Sequence, residues 1–130
     1  MYEIFSVVGI FERQYKNNEP LTITGDGKQR RDFVDVRDIV DGMVKCMEAM
    51  HGSVDMRYSA EIFELGVGKN YSINEIAKAF GEDYPVRYIN STPGEMRETL
   101  NTDTKAKDLL GWNPTRDITN FIKETYILGK

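Results

Sequence analysis

The sequence predicts an α/β fold, and two observations support this prediction. Short apolar segments with strand-like alternation recur between longer segments whose apolar residues follow helical spacing. The 130 residues are 40% hydrophobic and 29% charged, as in an ordinary globular protein. The length suits one domain, residues 1–130, that can bury a core.

The first elements are predicted to be a helix, a strand, a turn and a second strand. Residues 4–17 place apolar side chains at helical spacing, and Pro20 follows the end of this helix. Residues 21–24 alternate as a short strand. Residues 25–27 form a Gly-Asp-Gly turn, because glycine reaches positive φ without a Cβ clash. The apolar residues within 33–36 predict a second short strand.

A helix and a further strand are predicted in the middle of the chain. Residues 38–50 form the helix, whose apolar face consists of Ile39, Val40, Met43, Val44 and Met47. Residues 53–60 are polar and irregular, which is typical of a loop, and residues 62–65 are strand-like. Gly66-Val67-Gly68 lacks the third glycine of a dinucleotide-binding loop, so we interpret it as a tight turn.

Toward the C-terminus the sequence predicts three helices and one strand. Ser72 and Glu75 form a capping box, in which the serine hydroxyl accepts a backbone N–H and the glutamate reaches back. The later elements are a strand over 86–89, a helix over 102–110 that Gly111 caps, and a last helix from Asp117. We assign structural roles to Asp38 at a helix start, to a solvated Lys105 and to Trp112 in the core.

Composition argues against several classes of function. The net charge of −4 and the scattered basic residues argue against nucleic-acid binding. The single cysteine, Cys46, lies in an apolar stretch without a nearby histidine, which indicates a buried structural thiol and a reducing compartment. The chain lacks an apolar run of roughly 20 residues, a signal-peptide pattern and a cluster with metal-ligand spacing. We therefore expect a cytoplasmic protein with no membrane, metal or nucleic-acid partner.

Three motifs occur in order along the chain. The first is P-L-T-I-T-G-D-G-K-Q-R-R-D-F-V-D-V over residues 20–36, and the second is F-E-L-G-V-G over residues 63–68. The third is P-G-E-M-R over residues 93–97, followed by D-T-K-A-K over 103–107 and L-G-W-N-P over 110–114. Together they resemble the C-terminal part of the extended short-chain dehydrogenase/reductases, namely the NAD-dependent nucleotide-sugar epimerases and dehydratases that include UDP-glucose 4-epimerase.

This resemblance implies a fold and a function. The chain would be the C-terminal substrate-binding part of a Rossmann-type enzyme, a truncated α/β unit without the N-terminal cofactor-binding half. Catalysis in this family needs NAD on a G-x-x-G-x-x-G turn and a Tyr-x-x-x-Lys pair. The sequence lacks that turn, and we interpret its one Tyr-x-x-x-Lys match, Tyr126 to Lys130, as accidental. We therefore expect no catalytic residue and no cofactor site in this chain.

The expected function is to bind a nucleotide-sugar, such as a UDP-sugar, as one portion of an epimerase (an isomerase) or a dehydratase. The expected partner is the missing N-terminal cofactor domain. Strands and helix faces that lose this partner would be left exposed, which favours self-association. The alternative is a stand-alone, non-enzymatic binding or interaction module on the same scaffold.

The resemblance also implies five substrate-binding residues, which are Arg31, Thr22, Thr24, Glu95 and Arg97. Arg31 would contact the diphosphate, because a guanidinium presents a planar fork of donors that matches phosphate oxygens. A surface ion pair with Asp26 or Asp32 is the alternative for Arg31.

The other four residues would surround the nucleoside. Thr22 and Thr24 would lie on the strand beside the base, although many relatives carry an aromatic side chain at the position of Thr24. Glu95 and Arg97 would close over the ribose and phosphate, and plain surface positions are the alternative for both.

Overall fold

A computed structural model describes residues 7–51, 62–91 and 97–128. The loop predicted over 53–60 lies outside the described residues. The helices are α1 (Val7–Lys16), α2 (Val36–His51), α3 (Ile73–Ala79), α4 (Lys105–Leu110) and α5 (Ile118–Ile122), and α5 continues as a π-helical turn (Lys123–Ile127). The strands are β1 (Leu21–Thr24), β2 (Arg30–Arg31), β3 (Tyr71–Ser72) and β4 (Val86–Ile89).

The core forms between β1 and the helices around it, and β4 extends the sheet at the surface. β1 pairs with β4 in parallel, with Leu21 opposite Val86 and Thr24 opposite Ile89. The side chains of the core that are essentially inaccessible to solvent are Phe11, Leu21, Ile23, Ile76, Phe80 and Ile122. These residues come from α1, β1, α5 and α3 with its C-cap Phe80, so the core joins the N-terminal and C-terminal segments of the described chain.

The last predicted helix is confirmed, and it carries Tyr126 into this core. Asp117 caps α5 by accepting hydrogen bonds from the N–H groups of Thr119 and Asn120. Tyr126 follows in the π-helical turn and stacks on Phe80, with ring centroids 5.4 Å apart.

Two local predictions are confirmed in the described residues. Ser72 Oγ accepts the Glu75 N–H at 3.1 Å, while the Glu75 carboxylate accepts the Ser72 N–H at 2.8 Å, which completes the capping box. Gly111 closes α4 with a left-handed φ of 69°. The helix α4 itself begins at Lys105, three residues later than predicted.

The second strand was predicted at the wrong place. β2 comprises Arg30 and Arg31, it pairs antiparallel with β3, and residues 32–35 are not a strand. Asp35 instead starts α2, because its carboxylate accepts the Arg37 N–H at 2.8 Å and its carbonyl accepts the Ile39 N–H at 3.1 Å. The Arg37 side chain holds the pKa of Asp35 down to about 2. The helix therefore begins at Val36 rather than at Asp38.

The strand predicted over residues 62–65 is likewise absent from the structure. A strand requires a neighbour for its ladder of hydrogen bonds, and no described strand pairs with this segment. Asn101 Nδ2 donates to the Glu64 carbonyl at 3.3 Å, and Lys105 Nζ donates to the Ile62 carbonyl at 3.2 Å. Lys105 is therefore half-buried and hydrogen-bonded, rather than solvated as predicted.

Asp38 connects α2 to the segment that follows α4. Its carboxylate is buried and accepts Arg116 Nη1 at 2.6 Å and the Arg116 N–H at 3.1 Å. The Asp38 carbonyl accepts the indole N–H of Trp112 at 2.7 Å. Gly42 permits this approach, because a Cβ there would lie 3.0 Å from the indole nitrogen. Trp112 is buried, as predicted, whereas Asp38 lies within the first turn of α2 and binds Arg116 and Trp112 instead of starting the helix.

The apolar face of α2 is exposed. Val40, Met43 and Met47 are 52%, 59% and 65% accessible to solvent, and Ile39 and Cys46 are half-buried. Cys46 is thus less buried than predicted. A face of this kind on a helix normally packs against another element. None of the helices in the described part of the chain has the length and apolar character needed to traverse a bilayer.

We expect the substitution Asp38→Ala to lower the free energy of unfolding by roughly 1.5–3 kcal/mol, because a buried carboxylate with charge-assisted hydrogen bonds is lost. Urea unfolding monitored by Trp112 fluorescence measures this loss. Asp41→Ala, at an exposed position of the same helix, is the control and should stay within about 0.5 kcal/mol. An equal effect of both substitutions would contradict the structural role of Asp38.

Candidate functional site

A cavity of about 440 Å³ lies between α1, β1 and the segment after β2. Its polar wall comprises Thr22, Thr24, Gln29, Arg31 and Asp32. Its apolar wall includes side chains from α1 together with Phe33 and Ile73. Three of the five predicted substrate-binding residues, Arg31, Thr22 and Thr24, therefore line one cavity.

The larger cavity of about 510 Å³ contains none of the predicted site residues. It lies on α1, α5 and residues 33–37, and most of its accessible wall is apolar. We place the candidate site in the smaller cavity, because a phosphorylated ligand requires the charged and backbone donors that are present there.

β1 turns one row of backbone groups toward β4 and the other toward this cavity. The N–H groups of Leu21 and Gly25 donate to the carbonyls of Pro85 and Ile89 at 2.9 and 2.7 Å. Because backbone groups alternate along a strand, those of Thr22 and Thr24 point away from β4. The backbone of both predicted base-contacting residues thus lies on the edge of β1 that faces the cavity.

Two glutamine side chains bind this edge. Gln14, on α1, donates from Nε2 to Thr22 Oγ1 at 2.8 Å and accepts the Thr22 N–H on Oε1 at 3.0 Å. Gln29 is buried and donates from Nε2 to the Thr24 carbonyl at 2.9 Å. The sequence analysis missed both residues, since each acts through a contact that helical or strand periodicity does not reveal.

Arg31 is half-buried at the end of β2, and its Nη1 donates to the Arg30 carbonyl at 2.8 Å. The two carboxylates considered as its surface partners are engaged in other contacts. The Asp26 carboxylate binds the Lys28 N–H and the guanidinium of Arg97, while Asp32 accepts backbone N–H groups. Arg31 itself lines the cavity.

Asp32 holds the site together through hydrogen bonds to distant backbone groups. Its Oδ1 accepts the Val67 N–H at 2.9 Å, and its Oδ2 accepts the N–H groups of Gly68 and Asn101 at 3.0 and 3.2 Å. The Asp32 N–H in turn donates to Thr99 Oγ1 at 3.2 Å. The turn over residues 66–68 is thus a structural turn, as predicted, and Asp32 fixes it beside Arg31.

Arg97 lies outside the set of residues that line the cavity. Its guanidinium forms a two-point ion pair with Asp26, with Nη1–Oδ1 and Nη2–Oδ2 distances of 3.1 and 3.3 Å. The Lys28 N–H and the Arg97 side chain lower the pKa of Asp26. The Arg97 carbonyl accepts the Arg30 N–H at 2.7 Å, which attaches this segment to β2. Glu95, its predicted companion, lies outside the described residues.

Tyr126 is buried in the core. Burial, followed by the nearby Glu12 carboxylate, raises its pKa to about 12. A catalytic tyrosine base needs a lowered pKa, so this environment favours the interpretation of its motif as accidental. Lys130, the other half of the motif, lies outside the described residues. Over the described ranges no three His, Cys, Asp or Glu side chains are grouped so that they hold a metal ion.

We expect Asp32→Asn to lower the free energy of unfolding by about 1–3 kcal/mol, because an amide NH₂ would replace one acceptor oxygen beside backbone donors. Hydrogen exchange should accelerate at Val67, Gly68 and Asn101 and remain unchanged within β1. Asp83→Asn, at an exposed turn, is the matched control. Unchanged exchange at all three N–H groups would show that Asp32 does not hold the turn.

Comparisons with known proteins agree on one family. The sequence profile of a family described as GDP-mannose 4,6 dehydratase matches residues 6–125. A UDP-glucose 4-epimerase of Bacillus subtilis is 32% identical over 107 residues, which are 79% of this chain and 30% of that protein. A UDP-glucuronic acid decarboxylase 4 of Arabidopsis thaliana is 35% identical over 112 residues, which are 83% of this chain and 24% of that protein.

Solved structures give the same result for the fold. A UDP-glucuronic acid 4-epimerase from Bacillus cereus, in complex with UDP-glucuronic acid and NAD, matches with a TM-score of 0.78 and 25% identity. The match covers 95% of this chain and 39% of that enzyme. The UDP-glucose 4-epimerase of Thermotoga maritima, solved with UDP-glucose, matches with a TM-score of 0.72 and 28% identity over 93% of this chain.

The chain spans well under half of the length of these relatives, from 24% of the decarboxylase to 39% of the Bacillus cereus epimerase. The three ordered motifs, the match over residues 6–125 and the shared fold lead to one conclusion. The chain belongs to the GDP-mannose 4,6 dehydratase family of extended short-chain dehydrogenase/reductases and represents part of its Rossmann-type α/β fold.

Proposed function

We propose that the chain binds a nucleotide-sugar, such as a UDP-sugar, in the 440 Å³ cavity. The observation that carries this proposal is that Arg31 and the edge of β1 line the same cavity. Arg31 offers a charged fork of donors to the diphosphate, and the backbone of Thr22 and Thr24 offers hydrogen-bonding groups to the base. Two of the similar structures contain UDP-glucuronic acid or UDP-glucose, which supports this class of ligand.

We further propose that Arg97 and Glu95 close over the ribose and phosphate after the ligand enters. Arg97 is attached to β2 through its carbonyl, while its exposed guanidinium faces the turn that contains Asp26. An incoming phosphate would compete with Asp26 for this guanidinium. The exposure of the ion pair supports such an exchange, since an exposed pair is weak.

The chain is proposed to be one portion of an NAD-dependent epimerase or dehydratase and to lack catalytic competence alone. In this proposal NAD and the acid–base pair come from the remaining portion of the enzyme, because the chain spans only about a third of its relatives. The exposed face of α2 supports a missing neighbour, and we assign this face to the cofactor-binding portion.

A stand-alone binding module is the second candidate. The core of this chain favours it, because Phe11, Ile76 and Ile122 are completely buried by residues that the chain itself supplies. Retention of ligand affinity by the purified chain would fit both candidates, whereas activity restored by an added cofactor-binding portion would select the first. A cytoplasmic location and the lack of nucleic-acid, membrane and metal partners remain predictions from composition.

We expect Arg31→Ala to weaken the binding of UDP-glucose by roughly 10- to 100-fold, because charge-assisted hydrogen bonds to the diphosphate are lost. Ligand titration followed by NMR, with NAD as a second ligand, measures both affinities. Arg13→Ala, at an exposed position of α1, is the control and should leave the affinity unchanged. Equal affinities of the Arg31 variant and the parent chain would refute this placement, and NAD binding would refute the missing cofactor site.

We also expect the isolated chain to self-associate through the exposed face of α2. Sedimentation velocity at micromolar concentration should show a dimer or larger species, and the substitutions Met43→Lys and Met47→Lys together should yield a monomer, because buried lysines would oppose the contact. Asp41→Lys, on the polar side of the same helix, should not change the assembly. A monomeric parent chain would rule this proposal out.

A further inference from the structure

The edge of β1 that faces the cavity carries four backbone groups, which are the N–H and the carbonyl of Thr22 and of Thr24. Side chains form hydrogen bonds with two of them. Gln14 Oε1 accepts the Thr22 N–H at 3.0 Å, and Gln29 Nε2 donates to the Thr24 carbonyl at 2.9 Å. Among the residues that the structure describes, neither the Thr22 carbonyl nor the Thr24 N–H has a hydrogen-bond partner. The edge therefore presents one acceptor followed by one donor.

This pattern fits a specific kind of ligand edge. A carbonyl at one residue and an N–H two residues later point the same way along a strand. They match a planar ring that has a donor next to an acceptor, such as N3–H and O4 of a uracil base. Arg31 lines the same cavity, and the proposed function places the diphosphate there.

We propose that Gln14 is a positioning residue that determines which backbone groups of β1 meet the base. This inference rests on the proposed nucleotide-sugar binding and deepens it. Gln14 contacts the same edge of β1 through Thr22 but is not among the residues that line the cavity, so it acts on the ligand through Thr22. Its amide fixes Thr22 by one donated and one accepted hydrogen bond, and this holds the neighbouring carbonyl toward the base.

Loss of the Gln14 amide would leave the Thr22 N–H, a second donor on this edge, without its acceptor. The unpaired Thr22 N–H would then compete with the Thr22 carbonyl for the ligand. In the described part of the chain, β1 would also lose its only side-chain hydrogen bonds to α1. A ligand that pairs with the carbonyl would have to order the strand on binding. The affinity for a base with an N3–H group should therefore fall, and the affinity for a base without it should not.

The test compares UDP with its N3-methyl derivative, because methylation removes the donor that would pair with the Thr22 carbonyl. The full 130-residue chain should bind UDP at least about 3- to 10-fold more tightly than N3-methyl-UDP, the contribution of one hydrogen bond. Gln14→Leu should reduce the affinity for UDP by a similar factor and leave the affinity for N3-methyl-UDP unchanged. The preference for UDP should thus disappear.

Two further variants distinguish a positioning role of Gln14 from a role in the folding of the chain. Gln14→Glu should retain the preference for UDP, because a carboxylate accepts both the N–H and the hydroxyl proton of Thr22. Gln14→Ala provides the same deletion as Gln14→Leu if the leucine variant does not fold. In the unliganded deletion variants, hydrogen exchange should accelerate at the Thr22 N–H and stay unchanged at Ile23, which bonds to β4.

The outcomes are distinct. If the parent chain binds UDP and the deletion variants keep the full preference over N3-methyl-UDP, the role of Gln14 is refuted and the proposed function stands. If the parent chain does not bind UDP, the proposed function fails and this inference fails with it. A loss of affinity of equal size for both ligands would assign Gln14 a structural role only and would also overturn the inference. Arg31→Ala, in contrast, should reduce the affinities for UDP and N3-methyl-UDP by the same factor.

Discussion

The Asp32 carboxylate accepts hydrogen bonds from the N–H groups of Val67, Gly68 and Asn101, and much of the candidate site depends on this one group. These donors belong to segments 35 to 69 residues away along the chain. The carboxylate therefore brings three segments to one point, next to Arg31 at the end of β2. Because buried and half-buried backbone N–H groups need acceptors, an aspartate at this position satisfies them and joins these segments to the end of β2.

The two sides of the molecule differ in how completely they are packed. Around β1 the helices α1, α3 and α5 enclose a core with fully buried aromatic and aliphatic side chains. On the other side, α2 is attached through Asp38 and Trp112 but leaves its apolar face exposed. The described chain is thus well packed where the candidate ligand site lies, and incompletely covered on the face that we assign to a cofactor-binding portion.

The groups in the candidate site suit the binding role that we propose for it. Its polar wall offers a guanidinium, backbone edge groups and an amide side chain, which can hydrogen-bond to the nucleotide-sugar that we propose as ligand. Tyr126, the one tyrosine that the family motif pointed to, lies in the core with a raised pKa.

The sequence by itself determined the elements whose signals are local. The capping box at Ser72, the turn between β1 and β2, the left-handed Gly111 and the three family motifs depend on neighbouring residues, and the structure contains the first three of them. Only the tertiary structure decided that residues 33–36 and 62–65 are not strands, because a strand exists only where another strand completes its hydrogen bonds. It also decided the roles of Asp32, Gln14 and Gln29, whose partners are chosen by packing and not by spacing along the chain.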